Sequence, residues 1–212
     1  MKKTLIALAV AAMTLASCNN APEKGEANDG SNPVIDNIMA RTSIRSYTDE
    51  KLTEDQITTI LKAAMAAPSG MNVQPWHFVV LTDTSEYTGI FGEGNFNLRM
   101  YKDAAAVIVT CADTTFKGRS RDGGEAVVRP NGIWRDDMGA VSENILLAAT
   151  SLGIGSVWTA CYPYPERYMP VKNALGLPAE VLPYSVIVLG YSDSEVTPKD
   201  KWKPERIHQG RW

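Results

Sequence analysis

An α+β fold is predicted by three features of the sequence. Two helical segments precede the first strand, short β-rich runs are interrupted by a long apolar helix and a shorter one, and two of those runs are apolar on successive residues. Unbroken apolar runs are expected of strands buried on both faces, and helices among strands are what cover them. A chain of 212 residues, 44% hydrophobic and 21% charged, has enough apolar material for one domain with a sizeable core.

The elements follow in order. Residues 33–40 (PVIDNIMA) place Val34, Ile35, Ile38 and Met39 on helical spacing, and Pro33 suits a first turn. The next helix is announced by Thr53 and Gln56, a capping-box pair, with Glu54 and Asp55 at the positive end of the helix dipole. Its stripe is Ile57, Ile60, Leu61, Ala64 and Met65, and Pro68 ends it. Strands are predicted at 77–82, 105–111, 156–160 and 185–191. Between the second and third lies a helix over 136–152, with Met138, Val141, Ile145, Leu146, Ala149 and Leu152 on one spacing and Gly153 at its C-terminal cap. Residues 165–175 form a further helix that kinks or starts at Pro170 and closes at Gly176.

The N-terminal segment is an address. Lys2 and Lys3 precede an apolar run over 5–16, and Leu15-Ala16-Ser17-Cys18 resembles the lipobox at which bacterial lipoproteins are cleaved. At 1.5 Å per residue the run is too short to cross ~30 Å of hydrocarbon, as expected of a secretory signal. Residues 1–17 are therefore expected to be a lipoprotein signal peptide, with Cys18 lipidated. Residues 18–32 are polar and rich in Gly, Asn and acid, a flexible tether to a domain over 33–212. The expected location is a membrane-anchored one on the periplasmic or cell-surface side.

Composition also excludes. A formal charge of −3 with no block of Lys or Arg offers no footprint for nucleic acid. Two histidines and three cysteines, without CxxC or HExxH spacing, offer no zinc site.

Two motifs carry chemistry. Arg41, Ser43 and Arg45 place two guanidiniums and a hydroxyl at the end of the first helix, groups suited to phosphate oxygens. The run PSGMNVQPW at 68–76 packs turn formers and amides between a helix and a strand, where loops often carry binding groups. Together these motifs resemble the nitroreductase family of flavoproteins. The likeness continues through FNLR at 96–99, the helix region WRDDMGAVSENILLAATSLGIGSVW, and Pro198-Lys199-Asp200-Lys201 before IHQGRW, so it spans residues 33–212.

The resemblance implies a central, mostly antiparallel sheet flanked by helices, and a homodimer that holds FMN at its interface. It assigns Arg41, Ser43 and Arg45 to the phosphate and ribityl chain of FMN, with Lys199 and Lys201 also near the phosphate. Thr42 belongs to the same segment and stands where many members carry a second basic residue. Asn97 is assigned to the pyrimidine edge of the flavin, the backbone of Thr159, Ala160 and Cys161 to its reactive N5 side, and Pro68, Ser69 and Asn72 to the flavin of the other subunit. The implied activity is alternating reduction of FMN by a donor, NAD(P)H in this family, and reoxidation by a nitroaromatic, quinone or similar flat acceptor. No protein nucleophile is needed, so no catalytic side chain is assigned. Alternatives are a flavin-binding lipoprotein without turnover, or a relative that fragments flavin or removes halogen. For these a lid would lie in the charged, Gly-bearing stretch 118–130, otherwise a loop beside the pocket. An extracytoplasmic domain would meet little NAD(P)H, which leaves another reductant or a membrane redox partner as the physiological donor.

Other residues have plain readings beside functional ones. Cys111 and Cys161 are read as structural, with pairing open outside the cytosol. His77 is read as a strand-start residue satisfied by backbone rather than a proton donor. Trp212, in the segment of His208, is expected to pack on the dimer partner, while Tyr162, Tyr164 and Trp158 are candidates to line the acceptor pocket.

Overall fold

The sheet is organised by alternation along its central strands. In β2 (Ala106–Asp113), Val107, Val109 and Cys111 join one apolar cluster, while Ala106, Ile108 and Ala112 join another. Successive side chains of a strand point to opposite faces, so a strand apolar on both must be covered twice. In this computed structural model, which describes residues 31–91, 100–120 and 122–212, that is what the helices do. The signal segment, Cys18, most of the tether and Asn97 lie outside the described residues. The chain divides into Met1–Asn32 and Pro33–Trp212, and the fold is that of the second unit.

β1 (Trp76–Leu81), β2, β5 (Gly155–Ala160) and β6 (Val181–Gly190) form one sheet in the order β1-β2-β6-β5, with every neighbouring pair antiparallel. α2 (Glu54–Met65) and α4 (Trp134–Ser151) cover the face carrying Ile108 and Ile187. α3 (Thr84–Phe91) and α5 (Pro165–Ala174) bring Tyr87, Phe91 and Val171 to the face carrying Val109 and Val188. Within the first of these layers three buried hydroxyls satisfy one another: Ser185 Oγ lies 2.8 Å from Thr110 Oγ1 and 3.1 Å from Ser142 Oγ.

Local signals act where the sequence places them. The Thr53 amide donates to Gln56 Oε1 at 2.9 Å and the Gln56 amide to Thr53 Oγ1 at 3.2 Å, closing the capping box of α2. Gly153, at φ +71°, reverses the chain after α4 and lets the Ile154 amide reach Ala149 O at 2.9 Å. Gly176, at φ +61°, closes α5, and Pro170 sits inside that helix rather than starting it.

Three differences from the sequence reading have physical causes. β6 begins at Val181, ahead of the expected 185, because Pro183 masks a strand whose ladder continues past the register shift opposite Thr110 and Cys111. α3 was not anticipated, since TSEYTGIF is short and carries β-branched residues and glycine; burial of Tyr87 and Phe91, one helical turn apart, holds it. The stretch 118–130 is not a plain loop but the end of a hairpin, β3 (Thr115–Gly118) with β4 (Val127–Pro130), whose exposed Val127 and Val128 give no burial pattern. Finally, α1 (Pro33–Ala40) has no buried residue among those described: Val34, Ile35, Ile38 and Met39 are 45–71% exposed. Among the described residues no helix is long and apolar enough to cross a membrane.

Candidate functional site

The segment that leaves α1 lies along the free edge of β5. The Ile44 amide donates to Ser156 O at 2.9 Å, making a parallel bridge at Ser43, and the Thr48 amide donates to Tyr191 O at 2.8 Å. Tyr47 pins it: its ring is buried and its hydroxyl reaches the carbonyls of Ile44 at 2.7 Å and Val188 at 3.3 Å. Burial also pushes the Tyr47 phenol well above its ordinary range, so it stays a neutral donor. Space for the segment comes from two glycines opposed in the β5–β6 register. A Cβ on Gly190 would lie 2.8 Å from Tyr47 Cδ1, and one on Gly155 would lie 2.9 Å from Ile44 Cγ2.

So held, Arg41, Thr42, Ser43 and Arg45 line a cleft of about 490 Å³ together with Lys199 and Lys201 from the C-terminal segment. Ile38, Met39 and Trp202 supply apolar walls. Arg41 Nε pairs with Glu143 Oε1 of α4 at 3.5 Å, and its side chain is 16% exposed. Among the described residues, Arg45, Lys199 and Lys201 have no ion-pair partner. Asp200 also lines the cleft and Glu143 pairs with Arg41, so four cations face two carboxylates, and the surplus positive charge attracts an anion. Guanidiniums and hydroxyls are the donors that phosphate oxygens accept best.

The other sequence candidates fall elsewhere. Pro68, Ser69 and Asn72 do not line this cleft within one chain; Asn72 lines a separate cavity of about 430 Å³ with Phe116 and Lys117 of the hairpin. Thr159 and Ala160 end the strand whose Ser156 bridges Ser43, and Cys161 follows them, without lining the cleft. Their backbone is partly engaged: Ala160 O accepts from Arg167 at 3.2 Å and the Cys161 amide donates to Tyr184 O at 3.2 Å.

Cys111 and Cys161 are buried free thiols in one cluster. Burial pushes each up to about 12, so neither is a thiolate at neutral pH. His77 is not satisfied by backbone as expected; its Nε2 lies 3.2 Å from Asp113 Oδ2. His208 packs on Trp212 with ring centroids 4.2 Å apart, and Trp212 is fully exposed in one chain. Trp158 meets Tyr184 edge-on at 5.8 Å and Tyr162 meets Trp134 at 4.8 Å, Tyr164 is exposed beneath the Arg167 guanidinium, and none of the three lines the cleft. Two residues of the site were not anticipated. Glu143 is a half-exposed charged position on α4 and Asp137 a buried carboxylate on the same helix; only Asp137 falls on the buried face, and no motif pointed to either partner.

Comparison with known proteins identifies the family. The profile of the Nitroreductase family matches residues 38–91 and 84–191. A protein of Archaeoglobus fulgidus, named for NADH dehydrogenase/NAD(P)H nitroreductase activity, is 40% identical over 178 residues, covering 82% of this chain and 96% of its own. A similarly named protein of Bacteroides thetaiotaomicron has a crystal structure that superposes with a TM-score of 0.76 at 34% identity, over 86% of this chain and 99% of that one. A nitroreductase from Desulfovibrio desulfuricans, crystallised with FMN, superposes with a TM-score of 0.66 at 28% identity, over 82% of this chain and 93% of that one. The chain belongs to the nitroreductase family. Its general role is that of a flavin-dependent oxidoreductase.

Proposed function

We propose that the protein binds FMN in the cleft between segments 38–45 and 196–202 and passes electrons from NAD(P)H, or another reductant, to a nitroaromatic, quinone or similar flat acceptor. The observation that carries this reading is the convergence of Arg41, Arg45, Lys199 and Lys201 on one cleft beside the hydroxyls of Thr42 and Ser43. A dianionic phosphate is the ligand that such a donor set fits. Arg41, Ser43 and Arg45 would hold the phosphate and ribityl chain, with Lys199 and Lys201 completing the charge. FMN supplies hydride acceptance and donation that no side chain can, which leaves the chain to bind it, orient it and govern access. Asn97 would meet the pyrimidine edge, and the backbone at Thr159, Ala160 and Cys161 the N5 side.

The working form is proposed to be a homodimer with FMN at the interface. Among the described residues Ile38 and Met39 of α1 are 45% and 71% exposed, and Trp202, Ile207 and Trp212 of the C-terminal segment 56–101%. Uncovered apolar area of this kind favours association with a second copy. Pro68, Ser69 and Asn72 would then reach the flavin of the partner subunit. Steady-state reduction of menadione with NADH, NADPH or dithionite-reduced enzyme tests the activity: turnover is the expected result, failure with NADH and NADPH alone would point to another reductant, and a flavin-loaded protein whose reduced form does not pass electrons to menadione would instead be a flavin-binding protein.

We also propose that the domain is tethered by lipid at Cys18, on the strength of the Lys2-Lys3, apolar-run and Leu-Ala-Ser-Cys pattern. Cys18→Ala is expected to leave the protein unprocessed or to release it from the membrane fraction, and unaltered membrane fractionation and processing would contradict the assignment.

A further inference from the structure

The loop before β1 is tied to the body of the domain by a buried carboxylate. Asp137, in the first turn of α4 and 6% exposed, accepts the Gly70 amide through Oδ1 at 2.9 Å. Its Oδ2 is buried and has no hydrogen-bond partner among the described residues. Leaving an acceptor of a buried carboxylate unmet is costly, so a residue kept there is expected to do something apolar packing would not. Gly70 also sits against Ile133: a Cβ there would lie 1.8 Å from Ile133 Cδ1 and would displace that side chain.

Beyond Gly70 the backbone is strained. Met71, Asn72 and Gln74 stand at φ of 53°, 56° and 52°, and they are the non-glycine residues with left-handed φ among those described. Such conformations persist only when the surroundings over-determine them. Inside the loop, the Asn72 amide donates to Ser69 O at 3.0 Å, the Gln74 amide donates to Ser69 Oγ at 3.0 Å, and Gln74 Nε2 donates to Asn72 Oδ1 at 3.2 Å. These bonds make Ser69 to Gln74 one rigid piece but do not attach it to anything. The Asp137 to Gly70 bond joins that piece to α4, the helix whose Glu143 also holds Arg41.

We propose that Asp137 is a positioning residue that sets the reach of Ser69 and Asn72 toward the flavin held with the partner subunit. This rests on the FMN reading above. The far end of the loop is held where Pro75 O accepts the Asp113 amide at 2.8 Å, and the Asp137 bond fixes its near end on α4, which transmits its position from the core.

The test compares wild type, Asp137→Ala and Asp137→Asn in FMN titrations followed by flavin fluorescence, with visible circular dichroism of bound FMN and thermal unfolding of each apoprotein. Asp137→Ala is expected to weaken FMN binding about ten-fold or more and to alter the flavin dichroism, because the Gly70 amide loses its acceptor. Asp137→Asn, which keeps an acceptor oxygen, is expected to restore most of the affinity and the wild-type dichroism. A purely structural role would lower the unfolding temperature while leaving the affinity and dichroism of the folded fraction unchanged. Wild-type affinity in Asp137→Ala overturns the proposal and leaves the cofactor reading standing, whereas wild-type protein that takes up no FMN contradicts the cofactor reading and the proposal with it. If Asp137→Ala does not fold, hydrogen exchange at the Gly70 amide of wild type decides. Slow exchange that slows further with FMN supports the proposal, and exchange at the rate of exposed loop amides overturns it.

Discussion

Replacing Arg41 and Lys201 together by alanine is expected to strip the protein of FMN. These residues approach the cleft from opposite segments, so the pair of changes removes a cation from each wall. A hydrogen bond to a charged group contributes about 1.5–3 kcal/mol, so losing two should weaken binding by roughly 10²–10⁴-fold at about ten-fold per 1.4 kcal/mol. The fold should survive. Among the described residues the Arg41 side chain is tied to Glu143, and that carboxylate is 46% exposed, so water replaces the lost partner. Flavin absorbance after gel filtration, beside an unfolding curve, checks both halves of the expectation. A folded double variant that elutes fully yellow would contradict the phosphate assignment.

Gly190→Val should have the largest effect on stability that also reaches the site. Its Cβ would lie 2.8 Å from Cδ1 and 2.9 Å from Cγ of Tyr47, a ring that is 8% exposed and bonded at its hydroxyl to the segment it anchors. The ring must therefore move and drag residues 41–48 with it. Overpacking of this kind costs about 1–3 kcal/mol, and disturbing the hydroxyl's bonds adds about 1 kcal/mol. For a chain of this size the unfolding temperature should fall by roughly 5–15 °C, with FMN affinity falling too. Gly132→Ala is the control, because a Cβ there meets nothing within 4 Å; it should leave both quantities nearly unchanged. Equal behaviour of the two variants would show that the glycine cradle does not hold the site.

Much of this was legible in the sequence wherever a signal was local. The capping box at Thr53 and Gln56, the apolar stripe of α4 and the doubly apolar run of β2 are short-range patterns, and the structure has all three. The gathering of Arg41, Arg45, Lys199 and Lys201 was legible only through family resemblance, since about 150 residues separate the two segments and no periodicity links them. What stayed hidden depends on tertiary partners. The amide of Gly70 finds Asp137 across 67 positions, and Gly155 and Gly190 are read as spacers only once Ile44 and Tyr47 are seen above them. The hairpin of β3 and β4 gave no pattern because neither strand buries a face. The stripe of α1 shows the reverse case: its spacing is that of a buried helix, yet its apolar residues are 45–71% exposed among the described residues.

The central claim is that the cations of the cleft hold a phosphate. Riboflavin shares the ring and ribityl chain of FMN and lacks only that group, so the ratio of their affinities isolates it. Titration of the apoprotein with each ligand is expected to show FMN binding about 100-fold or more tightly than riboflavin, with the advantage largely lost in the Arg41→Ala, Lys201→Ala variant. Equal affinity of the wild-type protein for the two would contradict the account.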